Sequence, residues 1–275
     1  MRIDSHQHFW KFDPIRDSWI NKSMTKIRKD FLPEDLIGIL AKNKIDGCIA
    51  VQADQSIEET KFLLNHAAKN SFIKGVVGWV DLCDRNVKDT LEYYTKNPLF
   101  KGVRHIVQAE PNGFLLGENF QNGINKLKDF NLTYDILIYP KQLKEAIDLV
   151  KKNPDQAFVL DHIAKPLIKN KEIDDWSMWI LEIGSFKNVY CKLSGLVTEA
   201  DWKNWSKSDF KDYLKLVLNA FGVDRLMFGS DWPVCLLAGN YSQVLYIIED
   251  FIEVLSDDEK RKIMGGNACK FYKIY

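Results

Sequence analysis

Residues 47–80 read GCIAVQADQSIEETKFLLNHAAKNSFIKGVVGWV, and this stretch decides the fold. Gly47–Ala53 is a short apolar run with the look of a buried strand. Glu58–Lys69 follows, with Phe62, Leu63 and His66 at helical spacing, and Ile73–Val80 is a second β-like run. Strand, helix and strand in succession predict a βαβ unit and a parallel sheet. Outward from it the pattern repeats. Further β-like runs lie at Arg2–His6, Gly102–Val107, Leu132–Ile138, Ala157–Ile163, Asn188–Ser194 and Arg225–Asp231. Helix-period stretches separate them: Leu36–Leu40, Gln142–Lys152, Trp176–Ile183, Phe210–Phe221 and Tyr241–Leu255. Pro33, Pro140 and Pro154 stand where helices start or stop. Eight such units predict a (β/α)8 TIM barrel in one domain spanning residues 1–275, with Asp257–Tyr275 as a C-terminal helical extension. The competing doubly wound open sheet lacks its glycine fingerprint, since no GxGxxG follows any of the strands.

Composition narrows the function. Hydrophobic residues are 46% and charged residues 28%, the balance of a globular chain. The 38 basic residues match the 38 acidic ones, which argues against a nucleic-acid partner. No apolar run approaches the ~18 residues that span a bilayer, and the polar N-terminus MRIDSHQHFW lacks the core of a signal peptide, so a cytoplasmic location is expected. Cys48, Cys83, Cys191, Cys235 and Cys269 are odd in number and form no CxxC, so reduced, mostly buried thiols are expected.

In a barrel the catalytic groups stand at the C-terminal ends of the strands. Of five histidines, His6, His8, His105 and His162 fall at or just past such ends. One histidine on a strand is more often a hydrogen-bonded core residue than a ligand, but four at one end are not explained that way. His66 is mid-helix and reads as packing. His6 and His8 are two residues apart and share a strand face, so both imidazoles point into the barrel mouth, where they can chelate a divalent cation or donate to one oxyanion. Asp4 falls on that face one layer deeper, as a buried orienting carboxylate. Asp231 ends the eighth run in Gly229-Ser230-Asp231-Trp232-Pro233, where it can act as a general base, ligate a metal or cap the next helix. Only one of Arg104 and His105 enters the barrel, because neighbours on a strand face opposite ways. A strand lysine such as Lys192 needs a partner or a ligand. Trp10 and Trp232 lie at strand ends, where their rings either cover the C–H face of a sugar or pack long loops.

These motifs carry a resemblance. Asp4-Ser5-His6-Gln7-His8-Phe9-Trp10, Gly102-Val103-Arg104-His105, Asp161-His162-x-Ala164-Lys165-Pro166, Lys192-Leu193-Ser194-Gly195 and Gly229-Ser230-Asp231-Trp232-Pro233 together resemble the sugar-lactonase branch of the amidohydrolase-2 group, within the amidohydrolase superfamily. The resemblance spans nearly the whole chain. It implies a distorted (β/α)8 barrel that hydrolyses small sugar lactones, with Asp231, His162, His6 and His8 as catalytic residues. Arg104, His105, Lys165, Lys192, Trp10 and Trp232 would contact substrate. Many superfamily members end strand four with a lysine or glutamate and strand five with a histidine. This chain has Arg104-His105 and Thr133-Tyr134-Asp135-Ile136 there, so a bridged two-metal centre loses a bridge and a ligand. Either no metal is required, or one divalent ion, Zn²⁺ first, sits on His6, His8 and Asp231 with His162 as an optional fourth ligand. The partner is a small-molecule sugar lactone. A metal-dependent decarboxylase or a dicarboxylate lactonase of the same group are the alternatives, and a non-catalytic sugar-binding barrel is the remote one.

Overall fold

The computed structural model describes residues 1–274. Its strands are β1 (Ile3–Gln7), β2 (Gly47–Val51), β3 (Ile73–Gly78), β4 (Phe100–His105), β5 (Thr133–Ile136), β6 (Phe158–Leu160), β7 (Val189–Leu193) and β8 (Leu226–Phe228). They pair in parallel in chain order from β1 to β8. Closure comes from the chain beyond β8: Gln7 bridges Trp232, Asp231 N donates to the His6 carbonyl (2.8 Å), and His8 N donates to the Trp232 carbonyl (2.7 Å). The expected (β/α)8 barrel is therefore present, and Asp231 is stitched beside His6 and His8 by the backbone bonds that shut the ring.

The helices are α1 (Pro33–Lys42), α2 (Ile57–Lys69), α3 (Val87–Thr95), α4 (Glu118–Leu127), α5 (Leu143–Lys152), α6 (Asp174–Gly184), a short α7 (Leu196–Glu199), α8 (Ser208–Phe221), α9 (Tyr241–Phe251), α10 (Asp257–Arg261) and α11 (Asn267–Phe271). Local signals fix their starts. Pro33 opens α1, the Ser56 hydroxyl accepts from Glu59 N at the head of α2, and Asn240 does the same for Gln243 N at α9. The sequence pattern did not mark α3 or α4, whose buried residues are few and lie among charged and amide side chains.

Strand alternation sorts the core into two parts. Val189, Cys191 and Leu193 of β7 pack outward against the helices, while Lys192 and Ser194 point into the barrel toward His6 and His162. Inside, the end away from the mouth is apolar. Ile3, Ile49, Val51, Val77, Val159 and Met227 pack there against Ala268, Phe271, Tyr272 and Ile274, so the C-terminal extension plugs the barrel floor.

The structure revises two sequence expectations. β6 and β8 are only three residues long, because the backbone turns left-handed at His162 (φ 53°) and at Asp231 (φ 56°). Asp4 does not share the His6 face. The pairing of β1 with β2 shifts register between Asp4 and Gln7, which flips the alternation. The Asp4 carboxylate instead points out of the barrel, accepting from Ser230 N (2.9 Å), His6 N (3.1 Å) and the Tyr241 hydroxyl of α9 (3.0 Å). It still orients the site, by bracing β1 against the turn that carries Asp231. All five cysteines are free thiols, and three of them are buried.

Candidate active site

Four of the expected residues converge. Asp231 Oδ1 lies 3.4 Å from His8 Nε2, 3.9 Å from His6 Nε2 and 4.0 Å from His162 Nε2. The His6 ring meets the His8 ring edge-on at 4.9 Å and the His162 ring at 4.4 Å. His162 reaches this cluster through an unusual backbone: His162, Ile163, Ala164 and Lys165 all have positive φ. That conformation costs L-residues energy and is typical of functional sites. Gly195, also at positive φ (67°), gives the imidazole room, since a Cβ there would lie 2.5 Å from His162 Nδ1.

Each imidazole is held by its second nitrogen. His8 Nδ1 is 2.7 Å from the Val51 carbonyl, which can only accept. His8 therefore carries its proton on Nδ1 and offers a bare Nε2 to the mouth. His162 Nδ1 is paired with the Ser194 hydroxyl at 2.9 Å. His6 Nδ1 faces Lys192 Nζ at 3.1 Å and Asp161 Oδ1 at 3.3 Å.

Beneath the histidines is a layer of buried ions. Lys192 bridges Asp135 and Asp161 (3.0 Å to Asp161 Oδ1), and Arg104 binds Asp161 Oδ2 at 3.0 Å. Two cations and two carboxylates offset one another, as burial at this depth demands. The Tyr272 hydroxyl, rising from the floor plug, donates to Asp135 at 3.0 Å. Ionisation follows from these surroundings. Burial depresses His6 well below the usual histidine range, with Lys192 and His162 adding to it. Burial lowers His8 and takes His162 down to about 4. Burial pushes Asp231 up, but His162 foremost among its neighbours, together with Lys165, outweighs it and leaves the carboxyl below its ordinary value. At neutral pH the site is an ionised Asp231 ringed by neutral imidazoles.

The remaining expected residues fall elsewhere. Arg104 is the member of its pair that enters the barrel. His105 points outward, stacked on Phe114 at 4.7 Å with Nε2 on Glu110 at 2.8 Å, so the mouth does not contain it. Lys192 is wholly buried among the ions below the histidines rather than in the open mouth. Trp10 and Trp232 are also buried. They pile with Phe9, Trp19 and Phe31 behind His8, because the loops after β1 and β8 need an apolar core of their own. Lys165 does reach the rim, 3.9 Å from Glu199 Oε1 and over the Tyr139 ring. Glu199 was not foreseen. It belongs to the four-residue α7, burial raises its carboxyl to about 7, and both Lys165 and Asp231 act on it. Asp161 and Asp135 were equally missed as site residues, although an acidic side chain in an otherwise apolar strand is a legible signal.

His6, His8 and Asp231 bring three ligand atoms within 4.8 Å of one another, and His6, Asp161 and His162 form a second such group. Two imidazole nitrogens and a carboxylate suit Zn²⁺ in an open site, and the bare His8 Nε2 is already in the form a metal needs. Among the described residues, no helix is long and apolar enough to cross a membrane.

Comparison with known proteins places the chain in a family. The chain is 36% identical over 286 residues to an L-fucono-1,5-lactonase of Burkholderia multivorans, covering 100% of this chain and 96% of that one. An L-fucono-1,5-lactonase of Burkholderia ambifaria is 32% identical over 278 residues, covering 99% and 96%. A crystal structure of an amidohydrolase from Burkholderia multivorans with bound zinc superposes with a TM-score of 0.97 at 35% identity, covering 100% of both chains. The family model described as Amidohydrolase matches residues 3–274, and on that match the chain belongs to the amidohydrolase-2 family.

Proposed function

We propose that the protein is a hydrolase that opens a small sugar lactone, L-fucono-1,5-lactone being the first substrate to try. The observation that carries this reading is the convergence of three imidazole Nε2 atoms on one carboxylate oxygen of Asp231, within 4.0 Å, at the C-terminal mouth of the barrel. The names of its relatives support the choice of substrate.

In the proposed reaction a water is hydrogen-bonded to Asp231. The carboxylate takes its proton as the water oxygen attacks the lactone carbonyl carbon. Donors on His6 and His162 stabilise the oxyanion that forms. His8, with its proton turned to Val51, accepts a hydrogen bond from the water or a substrate hydroxyl instead of donating. When the ring C–O bond breaks, protonated Asp231 returns the proton to the leaving oxygen, giving the open hydroxy acid. A Zn²⁺ on His6, His8 and Asp231, with His162 as fourth ligand, would supply electrophilic polarisation of the carbonyl. A lactone is an activated ester and needs less of that help than an amide. Lys165 and Glu199 at the rim are placed to bind substrate hydroxyls, the carboxylate accepting and the ammonium donating. A dicarboxylate substrate is disfavoured, because Arg104 and Lys192 are already neutralised by Asp161 and Asp135, and Lys165 faces Glu199.

A pH-indicator screen of aldonolactones with chelator-treated and zinc-loaded protein tests this reading. Acid release should appear with a deoxy-sugar lactone in both samples, within about tenfold of each other, the low end for losing a metal-orienting contact. Activity abolished by chelation and restored by metal would replace it with an obligate metal mechanism. Release of CO₂ from an aromatic or enol acid would replace it with the decarboxylase.

A further inference from the structure

Each ring nitrogen of His6 faces one group that can only donate and one placed to accept. At Nδ1 these are the Lys192 ammonium (3.1 Å) and Asp161 Oδ1 (3.3 Å). At Nε2 they are the Arg104 guanidinium (3.3 Å) and the bare Nε2 of His8 (3.2 Å). A neutral imidazole holds one proton, so two arrangements satisfy it. In the first, Lys192 donates to Nδ1 and the Nε2–H donates to His8; these are the shorter contacts. In the second, Nδ1–H donates to Asp161 Oδ1 and the Nε2 lone pair accepts from Arg104, which Asp161 Oδ2 still holds when a cation at the mouth takes that lone pair.

The surroundings are built for both. Asp161 Oδ1 is buried and accepts no hydrogen bond of good geometry, although the Lys192 ammonium lies 3.0 Å away. It is an acceptor waiting for the His6 Nδ1 proton. Lys192 can leave His6 without being stranded, because Asp135 and Asp161 both hold it. Its position is fixed from below, by Asp135 and by the Tyr272 ring 5.6 Å away. A metal at the mouth requires the Nε2 lone pair and favours an Nδ1–H held by a carboxylate.

We propose that His6 changes tautomer when the mouth takes up a divalent cation, with Lys192 as the positioning residue of the metal-free state and Asp161 as that of the loaded state. One proton leaves Nε2 and one arrives at Nδ1, so the ring stays neutral in both. In the metal-free state His6 presents a donor to the developing oxyanion. The same pocket therefore serves hydrolysis without metal and ligation with it. This rests on reading His6 as a mouth residue of the lactonase, but its test reads no activity and stands or falls apart from the choice of substrate.

The test is two-bond proton–nitrogen correlation on the full-length protein labelled at histidine, whose five rings give a sparse spectrum assignable through the backbone. In chelator-treated protein at neutral pH, His6 should show a bare Nδ1 and a protonated Nε2. One equivalent of zinc should reverse that pattern for His6 and leave His66 and His105 unmoved. The same His6 nitrogen protonated in both samples would overturn the proposal. So would a doubly protonated His6, or a spectrum that zinc does not change at any ring.

Discussion

At the scale of single residues, the site is legible where spacing or strand ends speak, and hidden where tertiary partners decide. His6 and His8 share a face because a single residue, Gln7, separates them, and Asp231 and His162 stand out as polar groups at strand ends. Asp4 misled, since a register shift that no local pattern announces turns it outward. Glu199 was invisible because a four-residue helix has no periodicity to read. The ionisation of these residues has a consequence. Burial lowers all three mouth imidazoles from the ordinary histidine value, His162 down to about 4, so at neutral pH they are neutral. The turnover number should therefore show no histidine inflection at or above the ordinary value near 6.5, and fall only at lower pH, where the imidazoles and Asp231 take up protons, His162 at about 4. Glu199 is the exception, as burial raises it to about 7. A protonated carboxyl accepts hydroxyls less well than a carboxylate. KM should rise as pH falls through about 7, and Glu199→Gln should remove that dependence while raising KM roughly tenfold or more, the worth of a charged hydrogen bond. A KM that keeps its inflection in Glu199→Gln would move the substrate contact to another residue.

At the scale of elements, the eight strands were legible because most are short apolar or β-branched runs set off by helix-period stretches, with β1 (Ile3-Asp4-Ser5-His6-Gln7) read from its place in the repeat. Their ends were not. Sequence runs at Ala157–Ile163 and Arg225–Asp231 continue past the observed strands, since the left-handed turns at His162 and Asp231 are set by contacts with β7 and β1 and not by local propensity. The turn after β7 is the counterpart on which His162 leans. Gly195→Ala would place a methyl group 2.5 Å from His162 Nδ1 at a φ of 67°. It should lower stability by about 1–2 kcal/mol, the cost of a left-handed L-residue, and also reduce turnover by shifting the imidazole. Urea unfolding and lactone kinetics on the same variant check both. An Ala variant with wild-type values of each would mean that the loop yields without moving His162.

At the scale of the molecule, the floor and the mouth of the barrel are joined by its interior. The C-terminal segment reads in sequence only as a helical extension. Nothing local shows that Tyr272 reaches Asp135 and, through it, the ions under His6. Tyr272→Phe keeps the ring that fills the floor and removes one donor to a buried carboxylate. It should cost about 1.5–3 kcal/mol in urea unfolding, the range for a hydrogen bond to a charged group. A variant as stable as the parent would mean that Lys192 alone satisfies Asp135.

In the proposed reaction Asp231 is the group that activates water, which makes one comparison decisive: the turnover of Asp231→Asn against the parent on L-fucono-1,5-lactone, both chelator-treated and both shown to be folded. The carboxamide keeps the shape and cannot take the proton. A loss of at least ~10²-fold, the low end for removing a general base, is the predicted result. Turnover within a few-fold of the parent would contradict the account and transfer the role to a neighbouring imidazole, His162 first.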